Sequence, residues 1–328
     1  MIRLKRMFTG MVIATTSLIS INAAIAADYP PHTINMVAPA GAGGGWDLTI
    51  RTVAKTLKDT GLVESNMPVV NRPGGGGAVN LSYMQTQSGK GDLISVYSPP
   101  ILLTNLTGLT QYSYKDTTPL ARLITDYAAF VVPENSKYKT IKDVMDALKA
   151  DPKSVKIGGT SAAGSMDHIQ FLLVAKAAGV ENLRNIDYVS FQNGSLIAQA
   201  LGGHVDLIST GLGDVAGLVQ SGKLHALAQT ADKRIGTGLI GEIPTVKEQG
   251  IDVIFENWRG LFGPKDMPEE AVAYWHNALQ KMVATPEWKA ALKRNGWDDA
   301  YQDEKAFTEF LGDTNTQYKT LIKSVFGR

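Results

Sequence analysis

The sequence predicts an α/β protein of two lobes, and three observations lead there. Apolar strand-like runs alternate with segments of helical spacing, the mark of βα units and largely parallel sheets. Glycine-rich turns join strand to helix in "VAPAGAGGGWDLTIRTVAKTL" (37–57) and again in "KIGGTSAAGSMDHIQFLLVAKAAG" (156–179). Two polar stretches punctuated by Gly or Pro, 131–140 and 230–245, are where the chain can cross between lobes. Two crossings make the middle third one lobe and join both ends into the other. The expected division is a signal peptide at 1–26, one lobe from 27–130 with 235–328, and a second from 131–234.

Taken in order, Arg3, Lys5 and Arg6 precede an apolar stretch from Met11 to Ile25, and Ala24-Ile25-Ala26 supplies a small-x-small cleavage pattern. Thr15, Thr16, Ser17, Ser20 and Asn22 dilute that stretch below a spanning helix. Strand-like runs follow at 33–40, 93–100, 128–134, 154–161, 185–192, 204–210 and 223–230. Ile141, Val144, Met145 and Leu148 repeat at helical spacing. Pro268 opens a helix whose Val272, Trp275, Leu279 and Met282 share a face. Thr285-Pro286-Glu287 starts another, and Gly296 is placed to stop it.

Composition narrows the function. Removal of residues 1–26 lowers Lys+Arg from 32 to 29 against 31 Asp+Glu, so the net charge goes from +1 to −2. A near-neutral chain without basic runs argues against nucleic acid and anionic membrane surfaces. The sequence holds 0 cysteines, which excludes disulfides, thiolate metal sites, a Cys nucleophile and lipid attachment at the cleavage site. An exported, unanchored chain is expected in a bacterial periplasm.

Enzyme and cofactor signatures are absent. Trp46 stands where the dinucleotide fingerprint needs its third glycine, and Gly89-Lys90 and Gly222-Lys223 are followed by Gly91 and Leu224 rather than Ser or Thr. There is no G-x-S-x-G elbow and no H-E-x-x-H. The 5 histidines lack metal-ligand spacing, so no metal and no cofactor are expected. Ser165 and His168 are one helical turn apart without a separate orienting acid, which leaves a hydrolase as the competing class.

The glycine turns point to anion binding. A helix start leaves backbone N–H groups unpaired and carries partial positive charge. Gly43, Gly44 and Gly45 let a ligand approach such donors, and Thr160, Ser161 and Ser165 add hydroxyls at the second turn. Trp46 either faces the ligand or packs in the core. Asp47 either caps its helix or touches the ligand. Arg72, in "VVNRPGGGGAVN" (69–80), either pairs with a carboxylate or braces the turn. Asp214 follows strand 204–210, at the edge where open α/β sheets bind ligands.

The motifs "PAGAGGGWDLTIRTVAKTL", "VVNRPGGGGAVN", "GGTSAAGSMDH", "YVSFQNGS", "LGGHVDLIST", "GKLHALAQTADKR", "EIPTVKEQG" and "WRGLFGPKDMP" resemble, in order and spacing, the Bug-type receptors of tripartite tricarboxylate transporters. "GGGWDLT" with "GGAVN" is similar to their citrate-type branch. The resemblance implies a type II periplasmic-binding-protein fold that closes on a carboxylate. Its loops Ala40–Asp47 and Thr160–Ser165, including Ala162 and Ala163, would hold one carboxylate through backbone N–H groups. Ser98 and Asn193 match positions that face the cleft, and "SFQNGS" departs from the commoner glycine pattern, so citrate does not transfer directly. A two-subunit integral membrane permease is the implied partner, and a monomer suits a shuttling receptor. Citrate, tricarballylate, a dicarboxylate and an aromatic or monocarboxylic acid all stay open as ligands.

Overall fold

A computed structural model describes residues 29–191 and 195–327. The expected signal peptide and Asn193 lie outside the described residues. β1 (Asn35–Ala38), α1 (Gly45–Asp59), β2 (Val69–Asn71), α2 (Ala78–Gln85), β3 (Leu93–Tyr97) and α3 (Pro100–Leu106) open the chain. β4 (Thr117–Pro133) leads into α4 (Ile141–Ala150), β5 (Ile157–Gly159), α5 (Met166–Ala177), β6 (Tyr188–Ser190) and α6 (Leu196–Leu201). β7 (Leu207–Gly211), α7 (Leu212–Gln220), β8 (Leu224–Gln229) and α8 (Leu239–Glu242) follow. β9 (Glu256–Pro264), α9 (Glu269–Ala284), α10 (Pro286–Asn295), β10 (Asp298–Gln302) and α11 (Glu304–Phe326) complete it.

The long strand β4 organises the molecule. Thr117–Tyr127 pairs antiparallel with β9, and Ala128–Pro133 pairs antiparallel with β7 and β8. Each half of the sheet therefore joins a parallel trio, β2-β1-β3 or β7-β5-β6, to antiparallel neighbours around β4. The βα units account for the parallel trios; β9, which the periodicity does not reveal, supplies much of the antiparallel pairing.

The amphipathic helices sit as their spacing requires. Ile141, Val144, Met145 and Leu148 of α4 are all buried, as are Trp275, Leu279 and Met282 of α9. Each such side chain contributes about 1.5–3 kcal/mol as an upper figure. Thr285 caps α10 by accepting from the Trp288 N–H at 3.2 Å, and Gly296 ends it at φ +65°.

The crossings differ from the expected ones. The first falls inside β4, at Tyr127–Ala128, ahead of the polar stretch 131–140. The return does not come after residue 234. Ile240 and Ile243 pack with Ala129, Val131 and Ile208, and the Phe255 N–H donates to the Thr230 carbonyl at 3.3 Å. Residues 235–255 thus stay with the second half, and β9 is the return crossing. The Gly/Pro punctuation of 230–245 marks a surface connection.

Candidate ligand cleft

At the first turn, the three consecutive glycines differ: the fold requires glycine at two of them and not at the third. Gly43 sits at φ +82°, where a side chain is strained. Gly44 caps α1 at φ −76°, and a Cβ added there would meet only ordinary contacts, the nearest 3.5 Å away. At Gly45 a Cβ would lie 2.6 Å from Arg259 Nη2. Glycine is needed there because a guanidinium, rather than a ligand, packs against the helix start.

Asp47 is a brace. Its Oδ2 accepts from the Gly43 N–H at 2.9 Å, and its Oδ1 accepts from Arg51 Nε at 2.9 Å and Asn71 Nδ2 at 2.8 Å. Asn71 Nδ2 also donates to the Ala40 carbonyl at 3.0 Å, which ties β2 to the loop. Burial pushes the Asp47 carboxyl up, but the bonds from Arg51, Gly43 and Asn71 outweigh it and hold it below the usual carboxylate range. Trp46 reaches across instead: its Nε1 donates to Ser98 Oγ at 2.8 Å, and its ring meets Tyr97 edge-on at 5.7 Å.

The second turn repeats the device. Asp167 Oδ2 accepts from the Thr160 N–H at 2.7 Å, the Thr160 hydroxyl at 3.0 Å and the Ser161 N–H at 2.9 Å. The Asp167 N–H in turn donates to Ser161 Oγ at 2.8 Å. No cation pairs with this acid among the described residues, and burial pushes its carboxyl up to about 6. Gly164, at φ +81°, donates its N–H to His168 Nδ1 at 3.0 Å. The His168 ring stacks on Tyr188 at 4.5 Å, and burial lowers its pKa to about 4. Ser165 is fully buried and its Oγ has no hydrogen-bond partner among the described residues. The imidazole is thus committed to the loop backbone and does not bond to Ser165.

These bonds narrow the expected anion receptor. The N–H groups of Gly43, Thr160 and Ser161 already serve the protein's own carboxylates. Among the described residues, those of Gly45 and Trp46 on one side, and Ala162 and Met166 on the other, have no acceptor. Each pair sits where a helix start concentrates positive potential.

Both turns face one cavity of about 580 Å³. Gly43, Gly44, Gly45, Trp46 and Ser98 line it from the first half; Thr160, Ser161, Ala162, Ser165 and Asp214 line it from the second. Of the remaining sequence-based candidates, Asp47 lies behind the wall, and Ala163 is exposed outside the lining. Arg72 stacks its guanidinium 3.6 Å from the Tyr83 ring centroid and stays off the wall. The "GGGG" run makes a third edge: Gly74 to Gly77 all have positive φ, and a Cβ on Gly77 would lie 2.8 Å from Tyr97. A Cβ on Gly76 would lie 3.6 Å from Ser165 Oγ, so the two halves approach closely beside the cavity.

Sequence reasoning missed Arg259 and Asn257, which form the floor with Asp214. Arg259 is 3% exposed; its Nη1 donates to Thr49 Oγ1 at 2.9 Å, and its Nη2 is 3.5 Å from Asp126 Oδ2. An arginine inside the apolar run "NWRGLFGP" was the available signal, since buried cations are rare without a task.

The chain belongs to the tripartite tricarboxylate transporter receptor family, whose model matches residues 50–326. It is 30% identical over 327 residues to the protein BugT of Bordetella pertussis, covering 96% of this chain and 95% of that one. A TctC solute-binding protein from Polaromonas, solved without ligand, is 28% identical with a TM-score of 0.67, covering 90% of this chain and 99% of the other. Two structures share the fold at lower identity. MatC of Rhodopseudomonas palustris with bound malate has a TM-score of 0.77 at 18% identity, covering 90% and 100%. An R. palustris protein with adipate has 0.80 at 20% identity, covering 91% and 98%. The family is one of periplasmic solute-binding receptors, and among the described residues no helix is long and apolar enough to cross a membrane.

Proposed function

We propose that this protein is a periplasmic receptor that captures a small di- or tricarboxylate, citrate-like in size, between two lobes and hands it to a two-subunit membrane permease. One observation carries the reading: two helix starts, each with unpaired N–H groups and each braced by its own aspartate, line the same cavity from opposite sheet halves. The lobes correspond to the sheet halves, with β4 and β9 as the hinge strands. Residues 1–26 act as a cleaved export signal, and the mature chain works as an unanchored monomer.

The energetics suffice. A micromolar ligand needs about 8 kcal/mol. Hydrogen bonds to a charged group contribute about 1.5–3 kcal/mol each. Four backbone donors, the Ser165 hydroxyl and the Arg259 guanidinium can supply that against the entropy of closure. Such a site works without a surplus of basic side chains, in keeping with a mature charge of −2 on the +1 precursor after loss of three basic residues. The malate and adipate of the two solved neighbours are small dicarboxylates of the same class.

Turnover is not part of this reading, because His168 Nδ1 accepts from Gly164 and the imidazole is not the base for Ser165. Calorimetric titration with di-, tri- and aromatic carboxylates, followed by chromatography of the ligand, tests it. Saturable binding with the ligand recovered unchanged is the expected result. Product formation that is lost in Ser165→Ala would overturn it in favour of a hydrolase.

A further inference from the structure

The cavity floor carries charge that the two loops do not use. β7 ends at Gly211, and around the point where a side chain there would begin three polar atoms converge. Asp126 Oδ2 and Asp214 Oδ2 are each 3.0 Å from it, and Asn257 Nδ2 is 3.4 Å away. They come from β4, α7 and β9, the elements that meet where the sheet changes partners. Arg259 lies two residues along β9 from Asn257, so both point to the same face.

The two acids differ in what they face. Asp126 is fully buried beside Arg259, and with Thr49 it holds the guanidinium in place. Asp214 opens into the cavity, where water reaches it although protein surrounds it. Its own support is thin: the Thr210 hydroxyl lies at 3.5 Å from its Oδ2. Burial is the main influence on its carboxyl and pushes it up; Arg259, Thr210 and the Gly211 N–H pull it partly back. Asn257 Oδ1 is buried on the same floor without a partner among the described residues. The floor therefore combines one fixed cation with a thinly supported carboxylate and, in Asn257 Oδ1, an acceptor without a donor among the described residues.

We propose that this floor reads a donor-bearing substituent: the ligand's carboxylate meets Arg259 while a hydroxyl or amino group beside it donates to Asp214. The receptor then favours hydroxy- or amino-substituted carboxylic acids over unsubstituted acids of the same length. This rests on the carboxylate-receptor reading above and refines it. The physical reason is the cost of the alternative. A methylene placed against Asp214 strips water from a carboxylate and returns no hydrogen bond. Sites built around a polar group reject analogues that lack its partner far more strongly than apolar pockets reject a missing methyl.

Matched pairs of acids test this: malate and aspartate against succinate, and citrate against tricarballylate, by calorimetry on the mature protein. Within at least one pair the substituted acid is expected to bind at least about tenfold more tightly, as a hydrogen bond to a charged group implies. Malate and aspartate separate the hydroxyl from the amino source. In Asp214→Asn the ratio within that pair is expected to fall below about threefold, with the ligand-free melting temperature showing that the variant is folded. Equal affinity within every pair, or a ratio that Asp214→Asn leaves intact, would overturn the inference while leaving a carboxylate receptor standing. Failure of all these acids to bind would overturn both.

Discussion

Asp47 and Asp167 hold the two glycine turns in the same way but under different electrostatic conditions. Each sits at the start of a helix and draws backbone N–H from the preceding loop onto one carboxylate oxygen, Asp47 from Gly43 and Asp167 from Thr160 and Ser161. Asp47 shares its other oxygen with Arg51, itself half exposed, and with Asn71. Asp167 is fully buried, and its second oxygen has no partner among the described residues. The first turn is therefore secured by an ion pair near solvent, and the second by a lone acid in a poor environment for charge. One turn is built to be indifferent to conditions, the other to be sensitive to them.

The widest contrast is expected from alanine. Asp167→Ala leaves two loop N–H groups without their carboxylate and is expected to lower unfolding stability by about 3 kcal/mol. Asp47→Ala leaves Gly43, which is exposed, to bond with water, and is expected to cost about 1 kcal/mol. Urea unfolding of the two variants checks the ranking, and equal losses would erase the distinction.

Within the first turn the glycines should separate. Gly45→Val pushes a side chain into Arg259 and is expected to weaken ligand binding at least tenfold in a folded protein. Gly44→Ala meets only ordinary contacts and is expected to keep the fold and Arg259 in place. Titration calorimetry alongside thermal melting distinguishes these outcomes.

The pH dependence should divide the turns as well. The folded-state pKa of Asp167 is raised to about 6 against an unfolded value near 3.9, so the native state binds the proton more tightly. Its contribution to stability falls as pH rises from about 4 through 6, and acidification from pH 7 to pH 5 is expected to restore about 1 kcal/mol. Asp126, also raised to about 6 by burial, acts with the same sign. Asp47 is lowered, so its contribution is present above its unfolded value and is lost only as pH falls below about 4. Urea midpoints at pH 7 and pH 5 for wild type and Asp167→Asn check this, and a pH response unchanged in the variant would contradict it. The smallest effect is expected from Trp46→Phe, which loses the bond to Ser98 and should weaken binding by about threefold.

Much of this arrangement is legible in the sequence because its causes are local. A strand running into glycines and then a helix identifies each turn, whereas the sequence leaves Asp47 between a helix cap and a ligand contact, and only the fold shows it bonded to Gly43, Arg51 and Asn71. Gly45 is different. Its reason lies in a guanidinium 214 positions away, and no periodicity announces that contact. The same holds for β9, whose apolar run looks like any buried strand until its pairing with β4 is known, and for β2, three residues long. The polar stretch 230–245 misleads for a related reason, since loop chemistry marks exposure and leaves open which half the loop packs against.

The most direct measurement is an amide NMR titration of the mature protein with its best-binding carboxylate. The N–H signals of Gly45 and Trp46 and those of Ala162 and Met166 are expected to shift together, with one shared dissociation constant. Shifts confined to one turn, or to residues away from the cavity, would contradict a receptor built from both helix starts.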